Sequence, residues 1–372
     1  MILKNGTFKG MAQDIVNSGD KIILFGTGVV GSTITPEILK EHNLLDRILC
    51  CVDNDRTKWN TCIDMCGEKI KILSPHILTE LKDKVTILIT ISRYRSVLNQ
   101  LKSMDNIGAF SCFIVPVLCV NSFHSEGGNG ISSAYTAPQI PKIIHYMWFG
   151  EKKLPQKLQN CIDSWKKYCP DYEIIRWDES NYNVRKNIFL AQAYDTKKYG
   201  FIPDYARLEV LYEYGGIYLD TDVELVRNID DLLYQEAFCS VEKWQVLNFG
   251  GCSGAIKGHK SLEPFLEKWS RRSLIRTDGT IDNTSSGLID TSVALNAGYR
   301  INGNNQMVNG MNIYSYDYFH PYDYMTGKLE MTNDTHSIHH FNGGWLDAAS
   351  KKVNEGTAAE YDALMKRAMN VG

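Results

Sequence analysis

Residues 215–224 read GGIYLDTDVE, an apolar and β-prone run that ends in two carboxylates one residue apart. Because side chains alternate along a strand, Asp220 and Asp222 are expected to project to the same side as the strand runs out into a loop. Two hard oxygen ligands at a strand end suit Mg²⁺ or Mn²⁺, especially when substrate phosphates complete the coordination. A bare Asp-x-Asp triplet also occurs as a solvated acidic turn, so its neighbours must support the metal interpretation.

The preceding segment, DYARLEVLYEY at residues 204–214, has apolar residues at the spacing of a helix. Gly215 is a natural stop for that helix. Asp204 and Arg207 lie three apart and therefore share one face near the helix start. They form either a local ion pair of small energy, or a carboxylate and a guanidinium that face the same ligand as the two aspartates.

Three ordered segments resemble glycosyltransferase family 32: IPKIIHYMWFG at 140–150, DYARLEVLYEYGGIYLDTDVE at 204–224 and HHFNGGW at 339–345. That family includes bacterial capsular-polysaccharide and fungal mannosyl transferases, and its core is similar to that of the large clostridial glucosylating toxins. The resemblance spans roughly residues 138–345. It implies a GT-A type fold, a nucleotide-sugar donor, a divalent cation and transfer with retention of anomeric configuration.

The resemblance also implies roles for residues that bind the donor. Trp148 stacks on the nucleobase, although a core tryptophan is the alternative. Asp204 holds hydroxyls of the donor sugar, and Arg207 holds phosphate, which a guanidinium can grip with two hydrogen bonds. Tyr218 touches ribose or phosphate, or simply packs in its strand.

The remaining implied roles concern the metal and the leaving group. Asp222 is expected to bind the ion directly, and Asp220 to meet ribose or act through water. His340 is expected to complete the metal site, with His339 as the competing imidazole. Trp345 is expected to cover the leaving phosphate. The catalytic set predicted in this way is Asp204, Arg207, Asp220 and Asp222.

The first 120 residues alternate between strand and helix patterns, which favours a parallel sheet with right-handed crossovers. Gly26, Gly28 and Gly31 follow a strand pattern, and Asp53 ends the next strand, as a dinucleotide-binding turn requires. A dinucleotide such as NAD or NADP is therefore one interpretation of this segment. The favoured interpretation is a scaffold or oligomerisation module with a vestigial glycine turn.

The predicted fold class is α/β, with a GT-A type nucleotide-sugar transferase domain preceded by a small Rossmann-like domain with a parallel sheet. Residues 121–141 are rich in Gly, Ser and Pro and have no apolar period, which indicates a linker, assigned to 121–137. The predicted boundaries are therefore 1–120 for the Rossmann-like domain and 138–372 for the transferase domain. A length of 372 residues also favours two domains.

Composition limits the other classes of function. A net charge of −3 excludes the marked basic excess of a general nucleic-acid binder. The ten cysteines are scattered, and the first residues lack the apolar core of a signal peptide. We therefore expect a cytoplasmic protein. The segment WSRRSLIR at 269–276 supplies local positive charge that suits peripheral contact with anionic lipid at the inner membrane, or an ordinary solvated helix face.

Together these features predict a retaining, metal-dependent hexosyltransferase. The expected donor is a UDP-sugar such as UDP-galactose, UDP-glucose or an N-acetylated form, and the expected acceptor is an oligosaccharide or a lipid-linked saccharide in bacterial surface-glycan or capsule synthesis. Two rival functions remain: an NAD-dependent sugar oxidoreductase or epimerase that uses the first domain, and a non-catalytic nucleotide-sugar-binding protein. Assembly as a homo-oligomer is left open.

Overall fold

The computed structural model describes residues 1–343 except 29, 92–93, 126, 132–133, 151 and 325–326. Within this part the chain divides into two compact units. The first is formed mainly by Met1–His124, and the second mainly by Ser125–Tyr299 together with residues from Gly303 onward. The predicted domain boundaries stay a prediction, and the end of the chain after residue 343 lies outside the described residues.

The first unit is built on a seven-stranded sheet in its described part. Its strands are β1 (Ile2–Leu3), β2 (Lys21–Phe25), β3 (Ile48–Val52), β4 (Cys62–Met65), β5 (Glu68–Leu73), β6 (Val85–Ile89) and β7 (Ser111–Ile114). Its helices are α1 (Phe8–Ser18), α2 (Thr35–Glu41), α3 (Tyr94–Lys102) and α4 (Val115–Ser122). The strands lie in the order β1-β7-β6-β2-β3-β5-β4.

All neighbouring strands of this sheet are parallel except β4 and β5. The inner strand β6 is buried along its whole length, and the central strand β2 is buried except at its first residue, Lys21. Such continuous apolar runs are typical of parallel strands that are covered on both faces. The alternation of strands and helices therefore forms the Rossmann-like parallel sheet that the sequence predicts.

The second unit contains the strands and helices that surround the acidic turn. Its strands are β8 (Ile143–Met147), β9 (Glu173–Trp177), β10 (Gly216–Tyr218), β11 (Val223–Leu225), β12 (Ala237–Val241), β13 (Leu247–Asn248), β14 (Ser253–Ala255), β15 (Gln306–Val308), β16 (Met311–Tyr314), β17 (Tyr322–Asp323), β18 (Lys328–Leu329) and β19 (Ser337–His339). Its helices are α5 (Gln156–Tyr168), α6 (Ile188–Asp195), α7 (Ile202–Tyr214), α8 (Glu263–Ser270) and α9 (Ser286–Asn296).

The main sheet of the second unit is mixed, with the order β15-β16-β12-β14-β10-β8-β9. Strands β9, β8 and β10 are parallel neighbours, whereas β14 runs antiparallel to both β10 and β12. A separate antiparallel pair, β11 with β19, follows the acidic turn. The α/β fold class is confirmed, and the mixed sheet is consistent with a GT-A type domain.

Residues of the predicted linker pack against the second unit. The backbone N–H of Asn129 donates to Asp334 at 2.9 Å, and that of Ala134 donates to the Tyr234 carbonyl at 3.2 Å. At the other end of the segment, residues 121 and 122 close helix α4. Composition alone could not reveal these partners, because they lie about 100 to 200 positions away in the chain.

His145 lies in β8 and contacts the chain reversal that precedes β10 and the acidic turn. Its Nε2 lies 2.8 Å from the Gly215 carbonyl oxygen, and the indole N–H of Trp177 donates to its Nδ1 at 3.1 Å. The ring is therefore the neutral tautomer with its proton on Nε2. Gly215 and Gly216 both have positive φ, at 72° and 103°, and together they reverse the chain between α7 and β10. His145 stabilises this reversal.

We expect His145 to make folding of the second unit sensitive to acid. Burial lowers the pKa of His145 to about 4, although the Gly215 carbonyl opposes the shift. Because the pKa is lower in the folded state, the stabilisation is complete above the unfolded value of about 6.5 and is lost as the pH falls towards 4. The loss should approach about 3 kcal/mol, since one pKa unit corresponds to about 1.4 kcal/mol.

Urea unfolding at pH 7 and pH 4.5 would measure this effect in the wild type and in His145→Gln. The variant should be less stable at pH 7 and should lose less stability on acidification. Equal acid sensitivity in the two proteins would show that His145 does not carry this proton linkage.

Candidate active site

The two aspartates lie in a turn that joins β10 to β11. The backbone N–H of Asp220 donates to the Gly250 carbonyl at 2.8 Å, and the N–H of Val223 donates to the Asp220 carbonyl at 3.0 Å. These bonds fix the turn from both sides. Strand β10 ends at Tyr218, so the aspartates belong to the turn and not to the strand itself.

His339 reaches the acidic turn because β19 pairs with β11, with Val223 directly opposite His339. Its Nε2 lies 3.3 Å from Oδ1 of Asp222. One carboxylate oxygen each from Asp220 and Asp222 and one nitrogen of His339 lie within 4.8 Å of one another. This arrangement is called the acidic cluster below.

His340 does not join the acidic cluster, whereas His339, the competing imidazole, does. Nε2 of His340 lies 2.9 Å from the Glu224 carboxylate, and 38% of its side chain is exposed. His339 is the last residue of β19, whereas His340 follows the strand and its side chain contacts Glu224. The HH motif could not choose between them, because the choice depends on the register of β19 against β11.

The acidic cluster has the donors that a divalent cation needs. Carboxylate oxygens suit Mg²⁺ and Mn²⁺, and a neutral imidazole is a common further ligand. The Nδ1 atom of His339 is buried and has no hydrogen-bond partner in the described part of the protein. Asp220, Asp222 and His339 therefore fit a divalent cation, whose identity this donor set does not specify.

The electrostatics of the cluster keep Asp222 ionised. Burial opposes ionisation, but the charge and hydrogen bond of His339, together with the backbone N–H of Asn342, lower the pKa of Asp222 to about 2. The same carboxylate raises the pKa of His339 above its ordinary value, against the effect of burial. An anionic oxygen donor is thus available throughout the physiological pH range.

Asp204 and Arg207 form a buried ion pair behind the acidic cluster. They lie on the first turns of α7, with Nη2 of Arg207 at 2.7 Å from Asp204. Arg207 also donates to Ser286 at 2.9 Å and lies 3.4 Å from Oδ2 of Asp220. Only 5% of its side chain is exposed, so the exposed local pair considered from the sequence does not apply. Arg207 instead connects α7 to the acidic turn.

Burial also changes the carboxyl groups around Arg207. It raises the pKa of Asp204 to about 6, although the Arg207 guanidinium opposes the shift. It likewise raises the pKa of Asp290 to about 7. Asp290 is 1% exposed and accepts a hydrogen bond from Trp269 at 2.8 Å. Asp290 therefore lies inside the protein.

Two consecutive glycines, Gly250 and Gly251, leave room for the side chains beside Asp220. The sequence pattern did not indicate this role. A Cβ on Gly250 would lie 2.1 Å from Oδ2 of Asp220 and 2.8 Å from Nη1 of Arg207. A Cβ on Gly251 would lie 2.0 Å from the ring of His320. The Asn248 side chain accepts hydrogen bonds from both glycine N–H groups, at 2.7 and 3.2 Å. The motif NFGG at 248–251 was the available signal.

Of the aromatic residues predicted to bind the donor, Tyr218 is buried and Trp148 is partly exposed. Tyr218 is 1% exposed, and its hydroxyl donates to Oδ1 of Asp220 at 2.9 Å, so it orients that carboxylate. Trp148 follows β8, is partly exposed and donates to the Lys152 carbonyl at 2.7 Å. Because β8 and β10 are parallel, Trp148 and the acidic turn follow the same edge of the sheet. Trp345 lies outside the described residues.

In the first unit, Asp53 hydrogen-bonds to the turn that contains Gly26 and Gly28. Asp53 accepts hydrogen bonds from the backbone N–H of Thr27, at 2.9 Å, and from the Thr27 hydroxyl. A Cβ on Gly31 would lie 2.0 Å from the Gly26 carbonyl oxygen, so Gly31 permits close packing of the turn. Gly28 has open space around its Cα. Binding of NAD or NADP at Gly26, Gly28, Gly31 and Asp53 stays a prediction.

The basic segment at 269–276 is largely neutralised by nearby carboxylates. Arg271 pairs with Glu267, whereas Arg272 and Arg276 both pair with Asp282 at 2.5 and 2.9 Å. These three arginines are therefore engaged in ion pairs, and peripheral contact with the inner membrane stays a prediction. Among the residues that the structure describes, no helix combines the length and apolar character needed to cross a membrane.

Comparison with known proteins shows which family the region around the acidic turn resembles. Residues 155–239 match the family described as "Glycosyltransferase sugar-binding region containing DXD motif". The chain carries a DXD-type glycosyltransferase region. The match includes Asp204, Arg207, Asp220 and Asp222, and the predicted resemblance to glycosyltransferase family 32 is confirmed for this DXD-type region.

Curated proteins similar to the glycosyltransferase region include two fungal proteins and one viral protein. The chain is 36% identical over 138 residues to inositol phosphoceramide mannosyltransferase 3 of Schizosaccharomyces pombe, which covers 34% of this chain and 35% of that protein. It is 28% identical over 140 residues to inositol phosphoceramide mannosyltransferase 1 of the same organism, covering 34% and 42%. An uncharacterised glycosyltransferase, L373 of Acanthamoeba polyphaga mimivirus, is 28% identical over 40% of this chain and 61% of its own.

Each match covers only part of this chain and part of the related protein. The chain spans only about two-fifths of the length of the two fungal mannosyltransferases. Among solved structures, the PaToxG glycosyltransferase matches with a TM-score of 0.30 and 20% identity, covering 37% of this chain and 61% of that one.

The two histidines allow a matched test of the metal site. We expect His339→Ala to weaken Mn²⁺ binding by about 10- to 100-fold or more, since even partners outside the ligand set contribute that much in metal sites. His340→Ala should change the affinity less than twofold, because its ring pairs with Glu224. Isothermal titration of each variant with MnCl₂ would measure the affinities. A larger loss in His340→Ala than in His339→Ala would contradict the assignment.

Proposed function

We propose that this chain transfers a hexosyl group from a nucleotide sugar to a saccharide or a lipid-linked saccharide, with the help of a divalent cation. The observation that carries this proposal is the convergence of Asp220, Asp222 and His339 in front of the buried Arg207. Three of these four residues, Arg207, Asp220 and Asp222, lie in the region that matches the DXD-type glycosyltransferase family. The names of the two fungal relatives denote mannosyl transfer, which favours sugar transfer over nucleotide binding alone.

Each residue of the site has a definable task. Asp220, Asp222 and His339 would hold the cation, which supplies charge neutralisation and orientation at the donor diphosphate. Tyr218 and Arg207 hold the two oxygens of Asp220 in place from opposite sides. Arg207 also adds a fixed positive charge near the diphosphate in a poorly solvated environment, where electrostatic stabilisation is strong.

Trp148 and Asp204 provide the remaining donor contacts in this proposal. Trp148 is partly exposed at the same sheet edge and offers a flat face for the nucleobase. Asp204 is held by Arg207 and has 14% of its side chain exposed, which leaves it access to a sugar hydroxyl. Direct contact of Arg207 with phosphate is less well supported, because its guanidinium is engaged by Asp204, Ser286 and Asp220.

Transfer is proposed to retain the anomeric configuration. The acceptor hydroxyl attacks from the face that the diphosphate leaves, and the departing phosphate oxygen receives its proton. Asp220 and Asp222 face the cation in this scheme and are not available as a covalent nucleophile. Intact mass spectrometry should therefore show no glycosyl-enzyme during turnover. A stable mass increase of one hexose would overturn this part of the proposal.

The donor and the pathway rest on resemblance. A UDP-sugar, with galactose, glucose or an N-acetylated hexose, is the expected donor of a bacterial surface-glycan or capsule enzyme, acting in the cytoplasm. The names of the fungal relatives support mannosyl transfer as a second choice. Both belong in one donor panel.

The decisive experiment measures nucleotide release from UDP-galactose, UDP-glucose, UDP-N-acetylglucosamine, UDP-N-acetylgalactosamine and GDP-mannose, each with Mn²⁺, Mg²⁺ or EDTA. One donor should be hydrolysed or transferred in the presence of a cation and not in EDTA. The same donor should raise the melting temperature, because a ligand that binds only the folded state stabilises it. Failure of every donor to bind would count against the proposal, and binding without any release would favour a non-catalytic nucleotide-sugar-binding protein.

A further inference from the structure

Helix α9 begins at Ser286, whose hydroxyl contacts both members of the buried ion pair between Asp204 and Arg207. Nη2 of Arg207 donates to Asp204 at 2.7 Å and to Oγ of Ser286 at 2.9 Å. The Ser286 hydroxyl also hydrogen-bonds to the Asp204 carboxyl group. The three side chains therefore form a closed set of hydrogen bonds, which we call the Ser286 ring.

The chemistry of the side chains fixes the direction of each hydrogen bond in the Ser286 ring. A guanidinium has donors only, so Ser286 must accept from Arg207. A serine hydroxyl carries a single proton, which is then free to be donated to Asp204. Hydrogen bonds to a charged acceptor are about twice as strong as those between neutral groups. The ring is therefore strongest when Asp204 is ionised.

The position of Ser286 is fixed by the packing of α9 against β13. The Thr291 hydroxyl accepts from the backbone N–H of Leu247 at 2.8 Å. A Cβ on Gly287 would lie 2.6 Å from the Leu247 carbonyl oxygen, so the first turn of α9 lies directly against that strand. Strand β13 leads into Gly250, whose carbonyl holds the acidic turn. One segment of backbone thus positions both α9 and the acidic turn.

The Ser286 hydroxyl favours ionisation of Asp204 in surroundings that otherwise oppose it. Burial raises the pKa of Asp204 to about 6, whereas the Arg207 guanidinium and the Ser286 hydroxyl lower it. The charged groups that act on this carboxyl come from α7, the acidic turn, the residues after α8 and α9: Arg207, Asp220, Arg272 and Asp290. Loss of the hydroxyl would therefore move the pKa of Asp204 upwards, towards neutral pH.

We propose that Ser286 is a positioning residue of the transferase site, whose hydroxyl keeps the Asp204 carboxylate and the Arg207 guanidinium in the orientation that the nucleotide-sugar donor requires. This inference rests on the proposed glycosyl transfer. Asp204 then accepts from a sugar hydroxyl with its charge intact, and Arg207 keeps Nη1 directed at Asp220, 3.4 Å away. Ser286 forms no bond to the donor and exchanges no proton with it.

The neighbouring serine provides a matched control for substitutions of Ser286. Ser285 is exposed, precedes the first turn of α9 and makes no capping hydrogen bond with its side chain. Ser285→Ala should therefore match the wild type. Ser286→Ala removes the hydroxyl, and Ser286→Thr keeps it. Ser286→Val has the shape of the threonine variant without the hydroxyl, so these two variants isolate the hydrogen bonds from the packing.

Nucleotide release is measured with the best donor and Mn²⁺ from about pH 5 to pH 9, and thermal unfolding shows whether each variant is folded. Ser286→Ala should lower kcat/KM by about tenfold or more, mainly through a higher KM for the donor, because hydrogen bonds to charged groups are lost. The acidic limb of its kcat/KM profile should move to higher pH, since Asp204 is then protonated more easily. Ser286→Thr should restore both properties, and Ser286→Val should resemble Ser286→Ala.

Three results would overturn the inference: equal kcat/KM in Ser286→Ala and Ser285→Ala, equal losses in Ser286→Thr and Ser286→Val, or lost activity with the acidic limb unmoved. If Ser286→Ala does not fold, the comparison of the threonine and valine variants decides. A wild type that releases nucleotide from no donor would instead refute the proposed function itself.

Discussion

Asp222→Asn should abolish cation-dependent nucleotide release, with a loss of more than about 100-fold. The substitution keeps the size of the side chain but removes an anionic ligand, and even residues outside the ligand set change metal affinity or activity by about 10- to 100-fold. Asp222 is also the partner of His339, so its loss leaves that imidazole without its ionic contact. Nucleotide release at saturating donor and increasing MnCl₂ would measure the effect.

The control for this substitution is Asp171→Asn. Asp171 pairs with Lys142 on the surface, and 57% of its side chain is exposed. Exposed ion pairs contribute about 0–1 kcal/mol, so this variant should retain wild-type activity and stability. An Asp222→Asn protein that is folded and retains more than a tenth of the wild-type rate at every Mn²⁺ concentration would exclude a ligand role for Asp222.

Gly250→Ala should have the second-largest effect, although it adds only one methyl group. That methyl would lie 2.1 Å from Asp220 and 2.8 Å from Arg207, which are both distances that atoms cannot adopt. Asp220 must therefore move away from the acidic cluster, and a displacement of about 1 Å in a catalytic site can reduce activity by about 100-fold. Overpacking should also cost about 1–3 kcal/mol of stability.

Gly108→Ala provides the matched control, because a Cβ at Gly108 meets no atom within 4 Å and its φ is not positive. Initial rates and urea unfolding of both variants would separate the local effect from a general loss of stability. If Gly250→Ala were as active as Gly108→Ala, the acidic turn would not depend on the close approach of Gly250.

Much of the local structure was predictable because it follows from local patterns. The apolar run at Lys21–Phe25 forms β2, and the helical spacing before Gly215 forms α7, which ends at Tyr214. The motif IPKIIHYMWFG contains β8, as expected from its β-prone residues. Each of these elements depends on the periodicity of neighbouring residues, which a sequence displays directly.

The composition of the site was less predictable, because its parts come from distant segments. The sequence indicated Asp220, Asp222 and an imidazole, but it selected His340 where the structure places His339. It gave Gly250 no role, although a Cβ there would collide with Asp220. These differences share one cause, since each depends on which remote backbone lies alongside the acidic turn.

Short-range periodicity and residue chemistry thus specified the elements, the acidic turn and the class of ligand that two neighbouring carboxylates prefer. Long-range pairing selected the partners: the register of β19 on β11 turned His339 inward, and the contact of Gly250 with Asp220 set the position of the carboxylate. The reason is physical, because a one-residue shift in register reverses the direction of every side chain in a strand while leaving its sequence pattern almost unchanged.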